Sequence, residues 1–300
     1  MVDWRNRIRG VIGFPATSMK PDLSLDLAAV EKNVAWMAGY PFCAMCPTAG
    51  LGEIYSLTVE EAVEVVRATV RAVDGRMPVI AGIGYSAPLA IAMARGMEQA
   101  GADALLVLPP YYPNAPESGV AAYLELIAAH TALPLSFYSR DWANFNPAQV
   151  ARFCERVPSL LMWKDGQGDL RRYQRMMTIL GDRLIWLGGI GDDCAPGYFA
   201  IGCAAITSSI SCFAPAVSIA LGEAGMRGDH DRLDYLVRRY VHPLWALRDR
   251  SRGYEVSLMK AAMEIAGLPA GPVRPPLPTP SEQDLADLRK VVELYLAFAS

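Results

Sequence analysis

Leu133-Pro-Leu-Ser-Phe-Tyr-Ser139, followed by Asn146-Pro147 and then by Leu160-Leu-Met-Trp-Lys-Asp165, is the stretch on which the fold turns. Two short apolar, β-prone runs flank a segment that opens with an N-cap asparagine and a first-turn proline, the start signal of a helix. Strand, helix, strand is the repeating unit of a parallel sheet. The same rhythm extends outward in both directions. Similar runs stand at Val11–Ala16, Cys43–Thr48, Met77–Gly82, Ala104–Pro109, Arg183–Gly188 and Ala204–Ser209, eight in all. Eight strand-helix units predict an α/β fold, a closed (β/α)8 TIM barrel, over residues 1–225. An open doubly wound sheet would ordinarily carry a Gly-rich phosphate loop after its first strand. None follows Val11–Ala16, and Gly82-Ile-Gly84 and Gly188-Gly-Ile-Gly191 are only fragments of a dinucleotide fingerprint.

Helix punctuation agrees with this rhythm. Thr58-Val-Glu-Glu61 is a capping-box pattern, and Ser86 with Pro88 opens a helix that carries Met93, Ala94 and Met97 and stops at Gly101. After about Gly225 the strands cease. Arg232–Asp249 and Tyr254–Ala266 have helical spacing, a proline-dense connector spans Gly267–Pro280, and Ser281-Glu-Gln-Asp284 caps a last helix bearing Leu285, Leu288, Val292 and Leu296. This C-terminal helical extension, residues 226–300, has too little apolar surface to stand alone and is expected to pack on the barrel or on a partner subunit. One structural domain is therefore expected, although length alone suggests two at roughly 150 residues each.

Composition removes several function classes. The 300 residues are 52% hydrophobic and 20% charged, with 31 acidic against 28 basic side chains. That is a globular chain with a large core and no basic field for a nucleic acid backbone, so no nucleic acid partner is expected. Gly197–Gly222 lacks charge over a length that can cross a bilayer, but Thr207, Ser208, Ser209, Ser211 and Pro215 interrupt it. A buried helix, strand and second helix are expected there, and no membrane association. Met1–Arg9 is polar without an apolar h-region, so no secretory signal is read, and six cysteines in apolar runs do not form a disulfide framework. These features suggest a reducing, cytoplasmic setting. Cys43-Ala-Met-Cys46 has knuckle spacing, but no second pair lies nearby and the two point to opposite faces of a strand. His130, His230 and His242 lie on or near helices, and no cluster has metal-ligand spacing, so no metal is expected.

Lysine is scarce, five residues against 23 arginines. In parallel barrels the functional site lies at the C-terminal ends of the strands. Lys164 sits there, closing Leu160-Leu-Met-Trp-Lys164. A lysine so placed loses hydration, its pKa falls, and its neutral amine can attack a ketone to form an imine. The competing reading is a strand-end lysine paired with Asp165 or another carboxylate. The other four are read as solvated: Lys20 in a polar loop, Lys32, Lys260 and Lys290 on amphipathic helices. Tyr138 closes the preceding strand and can stand beside Lys164, either moving protons or serving as a buried tyrosine with a satisfied hydroxyl.

These residues, together with Gly13-Phe-Pro-Ala-Thr17, Gly52-Glu-Ile-Tyr-Ser-Leu-Thr58, Ala100-Gly-Ala-Asp-Ala104, Pro109-Pro-Tyr-Tyr112, Phe137-Tyr138, Trp163-Lys-Asp-Gly166 and Val273-Arg-Pro-Pro-Leu277, resemble the class I pyruvate-dependent lyases. That family includes dihydrodipicolinate synthase, N-acetylneuraminate lyase and 5-dehydro-4-deoxyglucarate dehydratase. The resemblance covers nearly the whole chain. It implies that Lys164 is the Schiff-base lysine and Tyr138 the proton-transfer tyrosine, with no cofactor beyond the covalent imine. It further implies that Thr48-Ala-Gly-Leu-Gly-Glu53, including Gly50 and Leu51, holds the α-keto acid carboxylate through backbone N–H groups. Tyr112 would reach a neighbouring subunit's site in a dimer or tetramer.

Two departures from the synthase pattern bear on the substrate. Gly50 and Leu51 stand where the synthase and the sialic acid lyase carry paired hydroxyl residues, so the hydroxyl half of the family's relay from Tyr112 is missing, with Thr48 a candidate substitute. Position 143 is alanine where the synthase has an arginine, and Arg140 lies two residues beyond Tyr138. Tyr138-Ser-Arg-Asp141, Lys164-Asp-Gly-Gln-Gly-Asp169 and the Thr207-Ser208 pair resemble the dehydratase branch instead. That implies dehydration and decarboxylation of 5-dehydro-4-deoxyglucarate to 2,5-dioxopentanoate. By position, Arg140 can face a second acid group or pair with Asp141, and Ser208, ending the eighth strand, can meet a substrate hydroxyl or carboxylate or serve as core packing. The alternatives are a pyruvate-dependent aldolase or synthase using the same imine, and a catalytically silent barrel that binds a keto acid or sugar acid.

Overall fold

The computed structural model describes residues 3–299. Met1, Val2 and Ser300, at the outer ends of the polar start, the expected barrel and the expected extension, lie outside the described residues. Among the described residues eight strands form: β1 Gly10–Gly13, β2 Ala44–Met45, β3 Ile80–Ile83, β4 Ala104–Val107, β5 Leu135–Ser139, β6 Leu160–Asp165, β7 Ile185–Gly188 and β8 Ala205–Ser208. Neighbours run parallel in the order β2-β1-β8-β7-β6-β5-β4-β3, and a parallel bridge between Met45 and Val79 closes the ring into a (β/α)8 barrel.

The β2–β3 seam is thin for a chemical reason. Pro47 and Pro78 have no N–H to give to the ladder, and Thr48, at φ 53°, turns the chain out of the strand. Thr48 then presses on Gly82, where a Cβ would lie 2.2 Å from the Thr48 carbonyl oxygen. The strand expected over Cys43–Thr48 is therefore only Ala44–Met45.

Among the described residues, nine helices belong to the barrel and its entry: α1 Trp4–Arg7, α2 Leu27–Met37, α3 Val59–Val73, α4 Ala87–Gln99, α5 Glu117–Ala128, α6 Pro147–Arg156, α7 Leu170–Leu180, α8 Ala195–Ala200 and α9 Pro215–Arg227. Reciprocal caps close the starts of α3 and α6. Thr58 Oγ1 accepts from the Glu61 N–H at 3.2 Å and Asn146 Oδ1 from the Gln149 N–H at 3.0 Å, with the return bonds at 3.0 and 2.8 Å. The uncharged Gly197–Gly222 segment is divided among α8, β8 and α9, and no helix of the described residues is long and apolar enough to cross a membrane.

Four more helices follow among the described residues: α10 His230–Leu236, α11 His242–Arg248, α12 Tyr254–Ile265 and α13 Glu282–Ala299. Between α10 and α11, Val237–Val241 winds as a π-turn. The helix expected over Arg232–Asp249 is thus continuous but widened just before Pro243, which cannot donate to the preceding turn. The helices after α9 share the barrel's core. Tyr295 of α13 packs edge-on against Phe213 at 5.0 Å and donates to the Tyr240 carbonyl at 2.5 Å.

Candidate active site

Alternation along the strands sorts the side chains of β5 and β6. Phe137 and Trp163 face the helices, their rings 5.0 Å apart with Phe153 of α6 stacked beyond. Tyr138 and Lys164, paired across the two strands, therefore take the opposite, interior face.

Lys164 is 3% exposed. Its Nζ donates to the Gly189 carbonyl at 3.2 Å and lies 3.1 Å from the centre of the Tyr138 ring and 5.5 Å from that of Phe14. Burial pushes the amine well below the ordinary lysine range, and the Arg140 guanidinium adds to that effect against the opposing pull of Cys46 and Asp165. Tyr138 donates its hydroxyl to the same Gly189 carbonyl at 3.1 Å. Burial raises its pKa, so the phenol keeps its proton at neutral pH. Asp165, the competing partner for Lys164, faces the other way. Its carboxylate accepts from the Tyr198 hydroxyl at 2.7 Å and from the N–H groups of Gln167 and Gly168.

Glycines make room for these two side chains. A Cβ on Gly189 would stand 2.5 Å from Lys164 Cε, and one on Gly166 would stand 2.5 Å from Tyr138 Cε2. Within Gly188-Gly-Ile-Gly191 it is Gly189 that makes space for the amine, while Gly188 packs against the Tyr198 ring. A glycine run directly after the seventh strand was the signal for it, visible in the sequence but open to several meanings.

Above Lys164 and Tyr138 opens a cavity of about 440 Å³, walled by residues that include Phe14, Gly50, Leu51, Arg140, Thr207 and Ser208. The N–H groups of Gly50 and Leu51 donate to no other group of the described residues. Arg140 pairs with Asp141 at 2.8 Å, and its Nη1 lies 3.9 Å from where a Gly50 Cβ would be.

Two of the expected contact residues are engaged within the chain, and a third stands on the surface. Thr48 is fully buried, outside the cavity wall, with its hydroxyl donated to the Gly82 carbonyl at 3.1 Å. The left-handed turn that ends β2 points it into the seam. Ser208 borders the cavity, yet its hydroxyl is 2.6 Å from that of Ser218 and is occupied there. Tyr112 lies on the loop between β4 and α5, 65% exposed, and does not reach this chain's own cavity.

Lys260, read from helical spacing as solvated, is 1% exposed. Its Nζ donates to Glu53 Oε1 at 2.8 Å and to the carbonyls of Thr17 and Pro272 at 2.9 and 2.6 Å. The Glu53 carboxylate also accepts the Arg274 N–H at 3.2 Å. The Arg274 side chain, in turn, bonds both oxygens of Glu61 at 2.6 Å. The proline connector and α12 thereby clamp the Thr48–Glu53 loop over the cavity. Sequence reading missed Arg248 and Lys260 because each acts from a distant segment, Arg248 on the cavity wall and Lys260 through Glu53.

A closed parallel barrel with a desolvated lysine against a tyrosine at its mouth defines a barrel enzyme of the lyase class. The chain belongs to the dihydrodipicolinate synthetase family, which it matches over residues 7–294. It is 38% identical over 293 residues to a Bradyrhizobium diazoefficiens protein named "Probable 5-dehydro-4-deoxyglucarate dehydratase", covering 97% of this chain and 93% of that one. Among solved structures it resembles dihydrodipicolinate synthase from Bacillus clausii, with TM-score 0.90, 27% identity, and 97% and 99% of the two chains covered. The chloride-inhibited Acinetobacter baumannii synthase complexed with pyruvate is similar at TM-score 0.88 and 25% identity, covering 96% and 99%.

Proposed function

We propose that this chain is a lysine-imine lyase that dehydrates and decarboxylates 5-dehydro-4-deoxyglucarate. The observation that carries the reading is the convergence of the Lys164 amine and the Tyr138 hydroxyl on the Gly189 carbonyl, at 3.2 and 3.1 Å, beneath the cavity. The neutral amine adds to the keto carbon, and water leaves as the imine forms. The imine draws electrons from the neighbouring carbon, which gives up a proton, and the hydroxyl one carbon further departs as water. The far carboxylate then leaves as carbon dioxide, its bonding pair flowing through the new double bond to the imine. Protonation, tautomerisation and hydrolysis release 2,5-dioxopentanoate. One water and one carbon dioxide are lost in total, and Lys164 supplies the nitrogen, so no bound cofactor is needed.

In this scheme the Tyr138 phenol passes protons to and from the carbinolamine. The free N–H groups of Gly50 and Leu51 receive the keto acid's carboxylate. The absence of side-chain hydroxyls at those two positions favours the dehydratase over a condensing synthase. Borohydride reduction with pyruvate should add mass to the Lys164 peptide, and the sugar diacid should release carbon dioxide. Pyruvate release from a longer keto acid without carbon dioxide would make the chain an aldolase, and no adduct at all would leave a silent binding barrel. Tyr138→Phe should lower kcat by about 100-fold or more while leaving Lys164 reducible, and an unchanged kcat would remove Tyr138 from the chemistry.

We infer as well that copies of the chain associate through the loop carrying Tyr111 and Tyr112, whose rings are 94% and 65% exposed. Light scattering should give a dimer or tetramer. A particle of 32.6 kDa would overturn this.

A further inference from the structure

Arg248 closes α11, outside the barrel, yet its side chain borders the same cavity as Lys164. Its guanidinium carbon lies 4.8 Å from the centre of the Trp245 ring. Trp245 in turn packs over Gly191 in the loop after β7, where a Cβ would come within 3.2 Å of the indole. The cation is therefore braced by an aromatic face. Among the described residues its side chain makes no hydrogen bond and no ion pair. Arg140 and the carboxylates on the cavity wall have partners within the chain. Arg140 holds Asp141, Glu255 accepts the Gly253 N–H at 3.0 Å, and Glu53 holds Lys260. A half-buried guanidinium that is positioned but not neutralised, facing a cavity, is arranged to take its anion from a ligand.

We propose that Arg248 binds the far carboxylate of a keto-sugar diacid and so selects diacids over matching keto acids that end in a hydroxymethyl group. This deepens the imine-lyase reading and rests on it for the identity of the near end, which Lys164 and the Gly50–Leu51 turn hold. The second-acid contact therefore belongs to Arg248 rather than to Arg140, whose charge Asp141 already meets. A consequence for the chemistry follows from charge. The far carboxylate is the group that leaves as neutral carbon dioxide, so its attraction to Arg248 is full in the bound substrate and fades toward the transition state. Such a contact strengthens binding without lowering the barrier.

The test separates this assignment from the imine. In a Lys164→Met background, where no imine can form, calorimetry would compare 5-dehydro-4-deoxyglucarate with 2-keto-3-deoxygluconate, which differ at the far end. The diacid should bind more tightly. Arg248→Gln should weaken it by about 30-fold or more, Arg248→Lys by less, and the hydroxymethyl acid should be unaffected by either. In the chain that retains Lys164, Arg248→Gln should raise KM for the diacid by a similar factor and leave kcat unchanged or higher. Equal affinity for the two acids, equal weakening of both by Arg248→Gln, or a fall in kcat at constant KM would each overturn the assignment. Failure of borohydride trapping at Lys164 would instead remove the imine reading.

Discussion

Lys164→Met is expected to lose imine formation and to reduce turnover by at least about 10⁴-fold, as removal of a covalent nucleophile does, while the protein becomes more stable. Lys164 is fully desolvated, and its polar contacts are one carbonyl and the face of a ring, with Asp165 turned away to Tyr198. An amine held there without a carboxylate costs folding free energy that a methionine of similar length does not, so a gain of about 1–2 kcal/mol is expected.

The gain should depend on pH. Because the folded-state pKa lies below the ordinary 10.5, the unfolded chain binds the extra proton between the two values. The parent protein therefore loses stability relative to Lys164→Met as pH falls from above 10.5 through that window, and the difference levels off below the folded pKa. The imine-forming rate runs in the same sense, rising with pH as the neutral amine accumulates. Urea midpoints measured from above the ordinary lysine pKa downward, at steps of about one pH unit, would measure the difference. A destabilised Lys164→Met protein with no pH-dependent gap would mean that Lys164 is a structural residue.

Lys260→Met is expected to have the opposite balance, costing about 3–5 kcal/mol of stability because it strands a buried carboxylate. Glu53 has a side chain with 0% exposure against 2% for Lys260. Removing the lysine also frees the Thr17 and Pro272 carbonyls. Glu53→Leu combined with Lys260→Met should recover part of the loss, since the uncompensated charge is then gone while the two carbonyls and the Arg274 N–H stay unmet. Circular dichroism in urea on the two single variants and the double would show this. A Lys260→Met protein within about 1 kcal/mol of the parent would mean that the pair is not buried in solution. The same variant should raise KM for keto acids, because the pair holds the Thr48–Glu53 turn in place.

The two lysines mark what could be read from the chain and what could not. Lys164 was legible because its signal is local: four apolar residues, a lysine at a strand end, and an alternation that faces it the same way as Tyr138. Lys260 was not. Its helix carries Leu258, Met259, Ala262 and Met263 into the core, so the helix is buried nearly all round, and its partner Glu53 lies 207 residues away. Nothing in helical spacing tells whether a lysine on such a helix meets water or a distant carboxylate. Thr48 has the same lesson in reverse. Its hydroxyl is suited to a relay, but a left-handed turn delivers it to Gly82.

The sequence by itself determined the barrel, because strand alternation, helix caps and glycine stops act within a few residues and eight repetitions leave few other folds. It also placed Lys164 beside Tyr138, since register between successive parallel strands follows from that repetition. Only the tertiary structure decided what surrounds them. Closing the ring brings Gly189 against the amine, the connector against Glu53, and Arg248 of the C-terminal helices onto the cavity wall. Those contacts join segments that no short-range pattern relates, and burial decides whether each charge there is an ion pair, a reactive amine or a waiting cation.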